Sequence, residues 1–305
     1  MSPLKFTLEY PSELPSAPDD FLLPDVVRSV VTTAETAGFS AVALSEHPAP
    51  SAKWRGNGGH NTLDPIAALG FMAAATTSIK LLTNLIVLPF HNPYQAAKSL
   101  ASLDILSGGR LIAGVGAGYL RSEFSAVGVE FEDRARLFDE ALDAVTSIWT
   151  DPATPVAGDG WAATGELGLQ RPVQRPHPPI WIGGNSKAAL RRVVEHGSGW
   201  MPLITPKSFA SAIRTRAIED GDQLSDILTD LRARLTAAGR DPDELDVQVV
   251  LPHTDLDDAD SVRRAQEFLA GMQRRGATGA VVHVDGSSPE AAVDYITRVS
   301  DRLFD

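Results

Sequence analysis

The sequence predicts an α/β fold, a (β/α)8 TIM barrel occupying residues 1–305 as one domain, and three observations carry that prediction. Eight short apolar runs alternate with longer segments of helical periodicity. Most runs are continuous rather than alternating, as parallel strands covered on both faces require. The joints are punctuated alike: Ala37-Gly38-Phe39, His196-Gly197-Ser198-Gly199 and Arg275-Gly276-Ala277 each offer a glycine to end a helix, while Asp64-Pro65, Asn92-Pro93 and Ser288-Pro289 each pair a capping side chain with a first-turn proline. A doubly wound open sheet is the alternative. Repetition at about 40 residues favours the closed barrel.

The first expected strand, Lys5–Glu9, follows a start with no charged, apolar and cleavable leader, which reads as cytoplasmic. The second, Ala41–Leu44, is wholly aliphatic. The third, Lys80–Leu88, is the longest apolar stretch, yet it is strand length and far short of a membrane span. Leu111–Gly116 and Ile180–Ile182 both run into glycine-rich turns. Trp200–Leu203, Asp246–Leu251 and Ala280–Val284 complete the set. Between the helix ending near Trp149 and the fifth strand lies Asp151–Pro179, with six prolines and four glycines. It is read as an irregular insertion folding over the barrel mouth.

Composition limits the chemistry. Lys plus Arg number 27 against 39 Asp plus Glu, so the net charge is 27 − 39 = −12, and there is no Cys. An acidic chain is a poor general binder of nucleic acid, and one without Cys has no disulfide, thiolate nucleophile or Cys-based metal site. No metal site is expected, because neither His-x-His nor His-x-x-x-His occurs. No Gly-x-Ser-x-Gly elbow occurs either. Redox chemistry would have to come from a bound cofactor acting on a small molecule.

In a barrel the working residues lie just past the strands. The strand ends offer Glu9, then Glu46 and His47, then His91, with Trp54 and His60 in the loop after the second strand and His253 after the seventh. Gly116-Ala117-Gly118-Tyr119 after the fourth strand and Gly183-Gly184-Asn185-Ser186 after the fifth each open a helix. Amides at a helix start and the helix dipole attract an anion, so two such turns on neighbouring strands point to a phosphate. A dinucleotide-binding reading of the first fails, since no strand separates it from Asp133. Asp255, Asp257, Asp258 and Asp260 crowd the exit of the seventh strand and would repel a phosphate there.

The run Leu103 to Tyr119, Leu-Asp-Ile-Leu-Ser-Gly-Gly-Arg-Leu-Ile-Ala-Gly-Val-Gly-Ala-Gly-Tyr, with Glu123-Phe124 after it, resembles the hallmark segment of the bacterial luciferase-like monooxygenase superfamily. Arg175 to Ser186, Arg-Pro-His-Pro-Pro-Ile-Trp-Ile-Gly-Gly-Asn-Ser, is similar to a second hallmark, as is Gly38-Phe39 leading to Ser45-Glu46-His47. The resemblance implies an oxidoreductase binding the deazaflavin coenzyme F420 or FMN, its phosphate on the two turns. It also implies a bulge after the third strand, often with a non-prolyl cis peptide, which maps to Asn84-Leu85. Arg-over-Lys usage and the Ser-Glu-His strand end favour F420. An FMN-dependent monooxygenase using O2 and a reductase is the alternative, and a cofactor-binding protein without turnover a third. The resemblance implies a homodimer as well.

On this reading His47 handles a proton, with Glu46 and Glu9 either orienting it or binding substrate. Trp54, His60, His91 and His253 wall the substrate pocket. His177, His196 and His283 are assigned to structure, the last as a strand-interior residue.

Overall fold

The computed structural model describes residues 3–60, 62–165, 167–212 and 214–304; Met1 and Ser2, and Glu166 of the insertion, lie outside them. Eight parallel strands succeed one another around a cylinder: β1 Lys5–Glu9, β2 Ala41–Leu44, β3 Lys80–Thr83, β4 Leu111–Gly116, β5 Ile180–Gly183, β6 Gly199–Met201, β7 Asp246–Val250 and β8 Gly279–Val282. The cylinder closes where β8 pairs with β1, from Lys5 opposite Gly279 to Leu8 opposite Val282. This closure excludes the open sheet. Strands β2 and β8 are buried at every position, which accounts for their unbroken apolar runs.

The outer ring includes α1 Pro24–Thr36, α2 Ala52–Gly56, α3 Pro65–Ala75, α4 Pro93–Leu106, α5 Arg121–Ala126, α6 Arg134–Thr150, α7 Lys187–Glu195, α8 Lys207–Ala212, α9 Gly221–Ala237, α10 Ala259–Arg274 and α11 Pro289–Leu303. The expected starts hold: Asp64, Asn92 and Ser288 accept from the amides of Ala67, Tyr94 and Ala291. Of the three glycine joints, two end a helix in the left-handed region. Gly197 does not; a side chain there would meet Val193 Cα at 3.0 Å and Ile182 Cγ1 at 3.1 Å, so tight packing is what it permits.

Two expectations are corrected. The third strand stops at Thr83, the Asn84–Leu85 peptide is cis, and the chain pairs again as Ile86–Val87 against Val115–Gly116. The insertion does not cover the mouth. It joins a helix to a strand, a connection that begins and ends at the opposite rim, and none of residues 151–179 lines the cleft at the strand ends. Its hairpin, Ala157–Gly158 with Trp161–Ala162, lies against α4 and α6, where Glu140 accepts from Asp159 N and Trp161 Nε1. Farther on, the buried Asp104 accepts from the amides of Val173 and Gln174.

Candidate active site

A cleft of about 600 Å³ opens at the C-terminal ends of the strands. Its platform is the bulge after β3. Leu85 reaches across the barrel top into space that glycines leave: a Cβ on Gly116 would stand 2.6 Å from Leu85 Cδ1, and one on Gly183 2.3 Å from Cδ2. Those two glycines therefore make room for Leu85 and at the same time line the cleft. Gly118 and Gly184 serve differently, at φ +74° and +100°, turning the chain sharply towards α5 and α7.

Glu46, fully folded into the rim, holds the bulge. Its carboxylate accepts from Val87 N at 2.6 Å and meets His91 Nε2 at 2.6 Å. Burial alone would lower the His91 pKa, but the hydrogen bond and charge of Glu46, with Asp64 adding, hold it above the usual imidazole range. His91 itself stands behind Glu46, and Phe90 lines the cleft in its place.

His47 faces the cleft, and its Nδ1 lies 3.2 Å from a carboxylate oxygen of Glu123, a residue of α5 only 2% exposed. The expectation that Glu46 and Glu9 orient His47 is thus corrected: neighbouring residues 46 and 47 find separate partners, and Glu123 is the one His47 finds. Trp54 packs behind the imidazole at 4.4 Å between centroids, rather than lining the pocket as expected, and His60 stands at 5.1 Å. Burial first, and then the Glu123 charge, push the Tyr119 hydroxyl up to about 12 despite a hydrogen bond with Trp54. It stays protonated at neutral pH.

On the β8–β1 side, Glu9 pairs with His283 Nε2 and lies 3.5 Å from Asn84 Nδ2. His283 was expected in a strand interior, but it lines the cleft, one step past β8. Burial would lower its pKa, while the bond and charge of Glu9 and the charge of Glu13 raise it. Glu13 accepts from Ser45 N at 3.0 Å and from Thr62 Oγ1, with His60 Nδ1 at 3.9 Å. Burial and the neighbouring Glu9 lift its carboxyl to about 7, against the hydrogen bonds from Ser45 and Thr62.

The opposite end gathers glycine-rich turns and cationic side chains. Gly116–Tyr119, Gly183, Gly184, Ser186 and Ala188 line it together with Arg134, Arg214 and Thr215. Ser186 caps α7, nine residues long, whose first amides have no partner within the helix. Asn185 does not join them. It is completely buried, its amide donating to the carbonyls of Leu203 and Arg216 and accepting from Leu203 N, so it fastens the loop that carries Arg214 and Thr215. His253 is exposed and outside the cleft, correcting its assignment to the pocket wall. An apolar shelf of Leu85 and Val87 beside a cationic, amide-rich turn suits a flat ring carrying a phosphate.

Residues 14–299 match the family model for luciferase-like monooxygenases. The chain belongs to that family. The luciferase-like chain is 32% identical over 179 residues to an FMNH(2)-dependent dimethylsulfone monooxygenase of Pseudomonas putida, a match covering 58% of this chain and 47% of that relative. It is 29% identical over 244 residues to an F420-dependent hydroxymycolic acid dehydrogenase of Mycobacterium tuberculosis, covering 78% and 62%. It thus spans about half the length of the first relative and under two thirds of the second. The monooxygenase RslO1 of Streptomyces bottropensis superposes with a TM-score of 0.78 at 22% identity over 98% of both chains, a likeness of fold. The family holds both F420-dependent and FMN-dependent oxidoreductases. Among the described residues no cluster could hold a metal ion, and no helix is long and apolar enough to cross a membrane.

Glu13, Glu123, His283 and the Arg214–Thr215 pair are the site residues that strand-end reasoning missed. Glu123 had a signal: in Leu120-x-x-Glu123-x-x-x-Val127 it is a carboxylate on the apolar face of a helical turn.

Proposed function

We propose that this luciferase-like protein is an oxidoreductase that moves a hydride between coenzyme F420 and a small organic molecule. The observation that carries the reading is the buried His47–Glu123 pair at the edge of the Leu85 platform. When bound, the deazaflavin supplies or takes the hydride. Glu123 accepts from Nδ1–H of His47, which leaves Nε2 to give or receive the proton that accompanies the hydride. The turns at Gly116–Tyr119 and Gly183–Ser186, with Arg134 and Arg214, bind the phosphate. Leu85 and Val87 support the ring and exclude water beneath it. The presence of the pair speaks against a cofactor-binding protein without turnover.

FMN-dependent oxygenation is the second reading, favoured by the Pseudomonas putida relative. Titration of the apoprotein with each cofactor, followed by Trp fluorescence, separates the two. Tight F420 binding with weak FMN binding supports the first; tight FMN binding with none for F420 overturns it. His47→Gln is expected to cut turnover about 100-fold or more while cofactor affinity stays within a few fold.

A further inference from the structure

Gln248 lies on β7 inside the barrel and is 3% exposed. Its Oε1 accepts from Thr7 Oγ1 at 2.6 Å, whereas its Nε2 is buried without a partner. An unpaired buried donor is costly and rare in a folded chain. The residue that carries it is one of those lining the cleft. Strand register sets its depth: Gln248 stands opposite Gly279, and Glu9 and His283 come just past the Leu8–Val282 pair, farther towards the mouth. Gln248 is thus at the floor, with the Glu9–His283 pair above it.

The surroundings define what fits. Met201, Val250 and Val281 line this part of the cleft and are apolar. The cationic lining residues, Arg134, Arg192 and Arg214, belong to α6, α7 and the loop after β6, at the phosphate end. Nearer the floor, His283 is already matched by Glu9. A carboxylate would arrive there without a free cation, beside Glu9 and Glu13. A neutral oxygen acceptor would satisfy the orphaned amide at no such cost.

We propose that Gln248 anchors the substrate through Nε2–H, by donating to a neutral carbonyl-type oxygen on a mainly apolar molecule. This deepens the functional reading above by naming the substrate class, and it is testable without any cofactor. Uniformly 15N-labelled apoprotein is titrated with cyclohexanone, and the side-chain amide pair of Gln248 is identified by its absence from Gln248→Met. Saturable movement of that pair is expected, together with about tenfold weaker ketone binding in Gln248→Met, read on the Val250 amide. Gln248→Leu, close to glutamine in volume and without a donor, must weaken binding as well; it serves if the Met variant does not fold. An unmoved Gln248 pair, with or without shifts elsewhere, overturns the proposal. So does tighter binding of cyclohexanecarboxylate than of the ketone. Failure of F420 and FMN to bind would sink the hydride-transfer reading and leave this result standing.

Discussion

Replacing Glu13 with Gln is expected to remove a loss of stability that the wild-type protein suffers as pH rises. Burial first, and the charge of Glu9 second, lift this carboxyl from 4.5 to about 7. A carboxyl whose folded value lies above its unfolded value stabilises the fold while protonated. That contribution is complete below about 4.5 and is lost as pH climbs through about 7. The gap from 4.5 to about 7, at ~1.4 kcal/mol per pH unit, corresponds to about 3 kcal/mol. Gln carries the proton-bearing geometry at every pH, and the Thr62 hydroxyl can turn to Ser45 O, 3.4 Å away, to accommodate the amide. The assay is urea denaturation of both proteins from about pH 5 to about 8, comparing the difference between them. His91 weakens the fold in the same direction over that window but is common to both and cancels. His283 feels the Glu13 charge, so the comparison is repeated in a His283→Gln background. A difference independent of pH would refute the reasoning, because Glu13 would then be ionised throughout and held by His60.

Three further outcomes are expected. Gly183→Ala should cost about 1–3 kcal/mol by driving a methyl into Leu85, and Leu85→Ala should recover most of it; simple additivity in urea denaturation would show that the two do not compete for one space. Glu46→Gln should bring the His91 pKa down towards its ordinary value by NMR titration, since the bond and charge of Glu46 are what raise it. Arg110→Met should cost about 3 kcal/mol or more, as the buried guanidinium donates to Ser107 O, Thr76 Oγ1, Ile79 O and Ala73 O. Arg110 precedes β4 at the rim away from the cleft, so cofactor affinity should be unchanged, measured by fluorescence titration.

The barrel was legible because each strand announces itself twice, by an apolar run and by the punctuation around it. Ala41–Leu44 matched to the residue for that reason. The two glycine-rich turns at the cleft were legible because they come directly after strands. What sequence alone blurred was direction. Glu46 and His47 are adjacent letters, and nothing in the sequence says which faces the bulge and which the cleft. His283 sits among Val281, Val282 and Val284, so its apolar neighbours suggested a strand interior, yet the strand ends at Val282 and leaves the imidazole in the mouth. Glu13 lies in a three-residue 3-10 helix, a segment too brief for periodicity to mark an inner face.

These residues share a pattern that bears on how an acidic chain would hold the anionic cofactor proposed above. Four carboxylates stand at the mouth, and each faces a histidine: Glu9 with His283, Glu13 with His60, Glu46 with His91 and Glu123 with His47. Buried carboxylates need partners, and Arg or Lys could have supplied them. Imidazole differs in one respect: it can surrender its proton near neutral pH, whereas guanidinium cannot. Pairing with histidine therefore neutralises a carboxylate without fixing a permanent positive charge beside it. The permanent cations Arg134 and Arg214 are kept at the other end, where a fixed charge suits the phosphate of the cofactor proposed above. The two ends of the cleft thus divide the labour by the kind of positive charge each can hold.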